Sequence, residues 1–231
     1  MPLVGRAAML LSFDVAPEAI PEHDAWHTHE HLPERLSIPG FLRGSRWVAV
    51  RGGPRYFVMY EVESLDTLTS KAYLDRLNAP SAWTARMMPH YRGMTRGYCS
   101  VSGSVGAGLG QLALVLRFTP AAGAESSLRR WLLDVALPPL PSTRGVGSAH
   151  LLESAATPGM TREQRLRGAD AGAGWALLVT GYDEAALARL ASSDVGAAQL
   201  QAHGAANVVE ATYRLHYTLV HRELDPRPAR R

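Results

Sequence analysis

The chain has 231 residues, of which 46% are hydrophobic and 19% are charged, and its formal net charge is +3 at pH 7. These values are typical of a folded protein with a substantial core, and the scattered arginines give little support to nucleic-acid binding. The single cysteine, Cys99, excludes an internal disulfide bond and a cysteine-based zinc cluster. No apolar run approaches about 20 residues, so we expect no membrane span and, by default, a cytoplasmic location.

Strands and helices alternate in the first half of the sequence. Apolar runs and two-residue alternation predict strands, whereas apolar residues spaced by three and four predict helices. The turn signal Gly52-Gly53-Pro54 separates two of the strands. In chain order, the pattern predicts a strand at 7–15, a helix from Asp24 to Leu36, strands at 41–51 and 55–63, helices at 64–77 and 79–90, and a strand at 94–102.

The same order restarts after a Gly-rich linker at 103–110. Trp131 and Leu137-Pro138 hold the relative places of Trp26 and Leu32-Pro33. The second half predicts strands at 111–119, 146–154, 174–182 and 210–221, with helices at 126–137 and 183–203. The last residues, 222–231, are rich in proline and arginine, and we expect a disordered tail there.

Two successive β-α-β-β-α-β units are the ferredoxin-like arrangement, duplicated. The sequence therefore predicts an α+β fold with a first unit at 1–102 and a second unit at 111–221. Helices are expected on one face of each four-stranded sheet, and strands such as 174–182 are apolar almost throughout. We therefore expect the two antiparallel sheets to face each other, as a pseudo-dimeric α/β barrel with the helices outside.

Four of the nine histidines lie between His23 and His31, and three of them are spaced by four. On a helix this spacing places side chains on one face, one turn apart, and Pro33 is expected to end or kink that helix. A neutral imidazole near pH 7 can take and give a proton, so His31 and His27 are candidate catalytic residues. The spacing leaves two alternatives open: a solvated polar face, and a divalent-metal site formed by His27, His31 and Glu34.

Two short motifs stand in the first half. They are Trp26-x4-His31-x-Pro33 followed by Ile38-Pro39-Gly40-Phe41, and Trp83-x5-Pro89-His90 followed by Thr95-Arg96-Gly97-Tyr98. Together they resemble the EthD-like branch of the dimeric α/β-barrel superfamily; the second half matches only in architecture. The resemblance implies paired ferredoxin-like units that each enclose a small pocket. The superfamily includes muconolactone isomerases, cofactor-independent quinone-forming monooxygenases and haem-dependent enzymes, so the fold alone does not choose an activity.

Other side chains are candidates for holding a substrate. Arg43 and Arg96 are candidates for a carboxylate or an enolate, because a guanidinium binds a carboxylate through two parallel hydrogen bonds. Tyr60 and Trp47, on neighbouring predicted strands, are expected to line an aromatic pocket or else to pack under the helices. In the last strand His216 alternates with an apolar set. If that apolar face meets the helices, His216 faces into the barrel.

The predicted function is that of a small-molecule enzyme without a bound cofactor. We expect histidine acid–base catalysis, of isomerase, cyclase or lyase type, on an aromatic- or lactone-derived catabolic or biosynthetic intermediate. One alternative is a non-catalytic protein that binds a small molecule or assists an oxygenase. Another is a haem- or metal-dependent enzyme, for which the candidate axial ligands are His90, His150, His203 and His216. The predicted partner is a small-molecule substrate, and the sequence leaves a homodimer open.

Overall fold

Eight antiparallel strands close into a barrel in the computed structural model, which describes residues 3–156, 161–168 and 170–224. The barrel strands are β1 (Ala7–Val15), β2 (Phe41–Arg51), β3 (Tyr56–Val62), β4 (Tyr91–Gly106), β5 (Leu112–Pro120), β6 (Val146–Ala155), β8 (Trp175–Gly181) and β9 (Ala205–Val220). A two-residue strand, β7 (Ala171–Gly172), pairs in parallel with β4. Around the barrel the order is β1-β3-β2-β9-β5-β8-β6-β4, and β4 returns to pair with β1.

The barrel consists of two four-stranded sheets with the same strand order. The first sheet has the order β4-β1-β3-β2 and the second has the order β9-β5-β8-β6. The sheets meet at two hydrogen-bonded seams, β2 with β9 and β4 with β6. Closure of this kind leaves the eight strands without an unpaired edge. The prediction of two ferredoxin-like units that form a pseudo-dimeric α/β barrel is confirmed.

Helices cover the outside of both sheets. They are α1 (Ile20–Trp26), α2 (Leu32–Leu36), α3 (Lys71–Asn78), α4 (Ala82–Met87), α5 (Glu125–Trp131), α6 (Arg162–Arg167), α7 (Glu184–Ser192) and α8 (Ala197–Ala202). Five-residue π-helical turns follow α1 at His27–His31 and α5 at Leu132–Ala136. None of the helices in the described part of the chain is long and apolar enough to cross a bilayer.

Three apolar clusters form the core of the protein. One lies between the first sheet and its helices, another lies between the second sheet and its helices, and the third lies inside the barrel. Alternation along β3 divides its side chains between two of them. Phe57 and Met59 belong to the barrel interior, whereas Tyr56, Val58 and Tyr60 pack under the helices. The interior of the barrel is therefore a packed core.

Several element boundaries differ from the predicted ones because pairing partners set the strand lengths. β4 continues through Gly106 and takes up part of the predicted linker at 103–110, since it pairs with β6 that far. β9 begins at Ala205 rather than at 210, since it pairs with the end of β5. The predicted helices at 64–77 and 79–90 are shorter, and a 3-10 turn adjoins each of them.

Two further segments differ from the prediction or lie beyond it. The pattern predicts no element between β6 and β8, but α6 and β7 lie there. Thr161 and Gln164 form a capping box at the start of α6, which is a recognisable sequence signal for a helix N-terminus. At the predicted disordered tail, His221–Glu223 is a 3-10 turn, and residues 225–231 lie outside the described part of the chain.

The thiol of Cys99 provides a test of the packed barrel interior. It is fully buried among apolar side chains, and burial raises its pKa to about 12. Because the thiolate is the reactive form, we expect the native protein to resist labelling by Ellman's reagent at pH 8 and to be labelled fully in denaturant. The measurement is the absorbance of the released thionitrobenzoate. Rapid labelling of the native protein would contradict the packed interior.

Candidate functional site

A widened helical turn places the histidines. At His27–His31 the helix is π-helical, and the N–H of Leu32 donates to the carbonyl five residues back. Pro33 follows directly; it has no N–H, and in a regular α-helix its ring would collide with the carbonyl four residues back. A π turn relieves that collision locally. The helix therefore continues as α2 after Pro33, where the sequence predicts an end or a kink.

The π turn brings side chains five residues apart into contact. The ring centroids of Trp26 and His31 are 4.4 Å apart, and the ring of His27 lies 5.5 Å from those of both His23 and His31. The exposed fractions of His23, His27 and His31 are 0%, 2% and 8%. A solvated polar face is therefore wrong for these three imidazoles. His29, on the same turn, is exposed.

Burial keeps the imidazoles of His27 and His31 neutral. Loss of hydration disfavours the charged ring and lowers both pKa values well below their ordinary range, and nearby arginines act in the same direction. The Nδ1 atoms of both rings are buried without a hydrogen-bond partner in the described part of the chain. The Nε2 atom of His27 lies 3.4 Å from the hydroxyl of Tyr60. Two neutral imidazoles with unpartnered nitrogens are therefore available as proton acceptors at pH 7.

A second layer of polar groups supports this segment. His23 lies 3.3 Å from the Tyr91 hydroxyl through Nε2 and 3.3 Å from Asp24 through Nδ1. Asp24 also accepts a hydrogen bond from the Tyr56 hydroxyl at 2.9 Å. Burial lowers the pKa of His23, although Asp24 opposes this effect. Arg46 donates to the hydroxyl of the π turn's threonine at 3.0 Å and so ties the turn to β2.

The histidines line a narrow cavity between the outer face of the first sheet and its helices. The space between its wall atoms is about 400 Å³, including the opening to solvent. Its wall comprises Met9, Leu11, Phe13, His27, His31, Arg35, Val58, Tyr60, Tyr73, Leu77, Met88, Tyr91, Met94, Arg96, Glu163 and Arg167. Aromatic and aliphatic groups with a few polar atoms are the usual lining of a small-molecule site.

Part of the cavity wall comes from the second half of the chain. Glu163 and Arg167 project from α6, which lies between β6 and β8. Arg35 donates to Glu163 at 2.5 Å, and Arg167 donates to Asp170 at 2.7 Å. Arg96 forms an ion pair with Asp170 at 3.1 Å. Sequence reasoning missed Arg35 and all three residues of the second half. The capping box at the start of α6 is the signal that points to this segment.

The structure brings four of the predicted site residues together and separates the others. His27, His31, Tyr60 and Arg96 all line the cavity. The remaining three, Arg43, Trp47 and His216, do not line it. Each of them has another environment, which follows from the face of the strand on which it stands.

Arg43 and Trp47 lie on the face of β2 that points into the barrel. Arg43 donates to Glu61 at 2.5 Å there, and Trp47 is fully buried in the barrel cluster. The expectation that His216 faces into the barrel is wrong. The apolar residues beside it, Tyr213 and Leu215, pack inside the barrel, so His216 is exposed and accepts from Arg46 at 3.2 Å.

The alternative metal site of His27, His31 and Glu34 is not formed. The Nδ1 atom of His31 is 4.0 Å from Glu34, whose carboxylate instead accepts from Arg35 at 3.0 Å and from Arg76 at 3.4 Å. Across the described ranges, no group of three or more His, Cys, Asp or Glu side chains is arranged to hold a metal ion.

The cavity does not fit a haem. The roughly 400 Å³ of space between its wall atoms suits a small compound rather than a porphyrin ring. None of the predicted axial ligands lines the cavity; these are His90, His150, His203 and His216. His150 is fully buried and hydrogen-bonded to Ser104 and Ser148, and His203 stacks on Trp131 with a centroid distance of 4.0 Å.

Comparison with known proteins shows the fold and not the activity. No protein-family model matches the chain, and no curated protein matches it in sequence. Among solved structures, an anthrone oxidase-like protein superimposes with a TM-score of 0.66 at 10% identity, over 93% of this chain and 92% of that chain. A candidate monooxygenase from Fusobacterium nucleatum gives a TM-score of 0.59 at 9% identity, over 94% and 96% of the two chains.

A third structural match has a name from another functional class. It is a major regulator of staphylococcal pathogenesis, with a TM-score of 0.51 at 9% identity over 90% of this chain and 98% of that chain. Identities this low show the fold and do not establish an activity for this chain. The matches place the chain among proteins with the dimeric α/β-barrel fold, here with both ferredoxin-like units in one chain.

The buried histidines predict a pH-dependent stability. Their pKa values are lowered in the folded protein, so below about pH 6.5 the unfolded chain binds more protons, and the free energy of unfolding decreases as the pH falls. Each histidine contributes a slope of at most about 1.4 kcal/mol per pH unit. We expect His31→Gln to reduce the slope between pH 6.5 and 5, measured by urea unfolding. His29→Gln, at the exposed position, is the control, and equal slopes in the two variants would contradict the neutral state of His31.

Proposed function

We propose that the chain is an enzyme of the EthD-like branch that transfers a proton at a carbon atom of a small aromatic or lactone-type compound, with His31 and His27 as the acid–base pair. The observation that carries this proposal is the pair of neutral imidazoles beside the cavity, whose buried Nδ1 atoms have no hydrogen-bond partner among the described residues. General acid–base catalysis requires such groups within reach of a bound substrate. The Trp26-x4-His31-x-Pro33 motif of the EthD-like resemblance supplies one of them.

The protonation states of His27 and Tyr60 support this role. With its proton on Nε2, His27 donates to the oxygen of Tyr60, and its Nδ1 lone pair remains free to accept a proton from carbon. Burial raises the pKa of Tyr60 well above its ordinary range, so the phenol keeps its proton and can donate to an oxygen of the substrate. The enolate formed by C–H cleavage would then be stabilised by that hydrogen bond and by the adjacent imidazolium.

His31 completes the transfer in this mechanism. An imidazole that returns the proton to a second carbon isomerises the substrate, and one that protonates a leaving group completes an elimination. The ring of Trp26 packs on His31 and holds its plane. Glu30 fixes the indole in turn, because it accepts from Trp26 Nε1 at 3.1 Å and from the Ser81 hydroxyl at 2.5 Å.

The lowered pKa values restrict the class of substrate. A weakly basic imidazole removes protons efficiently only from activated carbon acids, because the transfer becomes steeply uphill for others. Carbons between a carbonyl and an aromatic ring or an enol ether satisfy this requirement. The proposed substrates are therefore activated ketones, phenol tautomers and unsaturated lactones.

Oxygenation is the second candidate function, and the names of two structural matches favour it. One match is an anthrone oxidase-like protein and another is a candidate monooxygenase. The first step would be the same C–H cleavage. The resulting carbanion then reacts with dioxygen, so that a CH₂ group and O₂ yield a carbonyl group and water. The same histidines serve both candidates, and only the fate of the carbanion differs.

Two probe compounds test the proposal. α-Angelica lactone reports proton transfer through its conversion to the conjugated isomer in anaerobic D₂O, and anthrone reports oxygenation through anthraquinone formation in air. We expect His31→Gln and His27→Gln to slow whichever reaction the parent catalyses by about 10²–10⁴-fold, because a general acid or base is lost. The readouts are NMR for the lactone and absorbance for anthraquinone.

The control variant is His29→Gln, which changes an exposed histidine of the same turn and should react at the parental rate. Treatment of the parent with EDTA should also leave the rate unchanged. Equal rates for His31→Gln and His29→Gln would remove His31 from the mechanism. A parent that binds both probes without accelerating either reaction would favour the non-catalytic binding protein.

A further inference from the structure

The charged part of the cavity wall is dominated by arginine. Its charged side chains are Arg35, Arg96, Arg167 and Glu163, and each of these side chains is at most 5% exposed. The carboxylate of Asp170, which pairs with two of the arginines, does not line the cavity. A ligand in the cavity therefore meets three guanidinium groups and one carboxylate.

The charges around these arginines do not balance. Arg35 pairs with Glu163 and Glu34, and Glu34 also pairs with the partly exposed Arg76. Among the described residues, Arg96 and Arg167 form ion pairs only with Asp170. At this end of the network two buried guanidinium groups thus share one carboxylate, while the nearby imidazoles are neutral. Since a buried charge without a counter-charge is costly, the network favours one additional anion.

Arg167 has a nitrogen available for that anion. Its Nε and Nη2 atoms donate to Asp170 at 2.9 Å and 2.7 Å. Its Nη1 atom contacts only the thioether sulfur of Met88, at 3.9 Å, within the described residues. A thioether is a weak acceptor for a charged donor. Because Met88 also lines the cavity, a ligand oxygen that replaced this contact would gain a charge-assisted hydrogen bond.

We propose that Arg96 and Arg167 form an anion subsite and that the compound processed in this cavity carries a carboxylate. A single carboxylate matches the single excess charge, and its planar oxygens match the guanidinium geometry. The assignment of this compound as the substrate rests on the proposed function, whereas the binding of a carboxylate does not. The anionic group anchors the compound, and its neutral part extends toward the imidazoles of the same cavity.

Backbone pairing between the two halves of the chain holds the subsite together. The N–H of Ala173 donates to the carbonyl of Arg96 at 3.0 Å, and β7 pairs with β4 next to Arg96. This pairing holds Arg167 and Asp170 beside Arg96. In the first half, the corresponding connection between β2 and β3 is a short hairpin, and it carries no equivalent of α6.

Benzoate and its neutral analogue benzamide test the subsite in the full-length protein. We expect isothermal titration calorimetry to show benzoate binding at least tenfold tighter than benzamide. Arg167→Gln should weaken benzoate binding by about tenfold or more and leave benzamide binding unchanged, because a charge-assisted hydrogen bond is lost. Arg162→Gln, which makes the same substitution at an exposed position of α6, should bind benzoate as the parent does.

A variant with the opposite expected effect separates the subsite from loss of folding. Asp170→Asn removes the carboxylate that competes for both arginines, so benzoate should bind more tightly, by several-fold, and should raise the Tm more than in the parent. General damage to the segment would weaken binding in both variants. Equal affinities for benzoate and benzamide in the parent, or weaker benzoate binding by Asp170→Asn, would overturn the proposal.

The subsite and the proposed function fail in different ways. His31→Gln should keep the parental affinity for benzoate while it loses turnover of the lactone and anthrone probes. Charge-dependent benzoate binding together with parental turnover by His31→Gln would refute the histidine mechanism alone. Charge-independent binding together with slow turnover by His31→Gln would refute the subsite alone.

Discussion

Pairing between the two sheets is the constraint on which the rest of the structure depends. β2 pairs with β9 and β4 pairs with β6, so neither sheet leaves an edge open and the inward faces fill a common core. The seam between β4 and β6 also determines which residues of the second half reach the candidate site. Because β6 runs beside β4, the segment after β6 starts next to the first sheet. It places Glu163 and Arg167 against the cavity, and Asp170 beside Arg96 and Arg167.

The two halves share a π-helical turn but differ in the side chains that the turn carries. A π turn precedes a Leu-Pro pair in both, and the N–H of Leu137 donates to the carbonyl of Leu132 as that of Leu32 donates to His27. Leu132 and Ala136 occupy the turn positions that His27 and His31 occupy in the first half. The same geometry therefore presents two imidazoles to the first cavity and only apolar side chains at the corresponding places of the second half.

Burial affects the two kinds of cation in the site differently. An imidazole has an ordinary pKa close to neutrality, so loss of hydration suffices to remove its charge. A guanidinium keeps its charge at any relevant pH and must find a counter-charge instead. Neighbouring carboxylates even raise the pKa of Arg35 despite its burial. The cavity thus combines neutral proton acceptors with permanent positive charge, which is the combination that the proposed carboxylate-bearing substrate requires.

The sequence by itself determined the strands, the repeat of their order and the position of the histidines within one helical segment. Ala7–Val15 and Phe41–Arg51 form the predicted strands, because side-chain alternation and apolar runs are local properties of the chain. The proximity of His27 and His31 was likewise predictable, because it depends only on their spacing within one helix. Tyr60 and Arg96, which were chosen for their chemistry, also reach the cavity.

Only the tertiary structure decided which face of each strand meets the cavity and which distant segment closes it. Alternation assigns neighbouring residues of β2 to opposite faces of the sheet, but it does not say which face points into the barrel. In the structure, the face that carries Trp47 and Arg43 points there. The contribution of Arg167 depends on the seam between β4 and β6, a contact between residues far apart in the chain. Long-range pairing leaves no local pattern in the sequence, and for that reason half of the charged wall appears only once the barrel has closed.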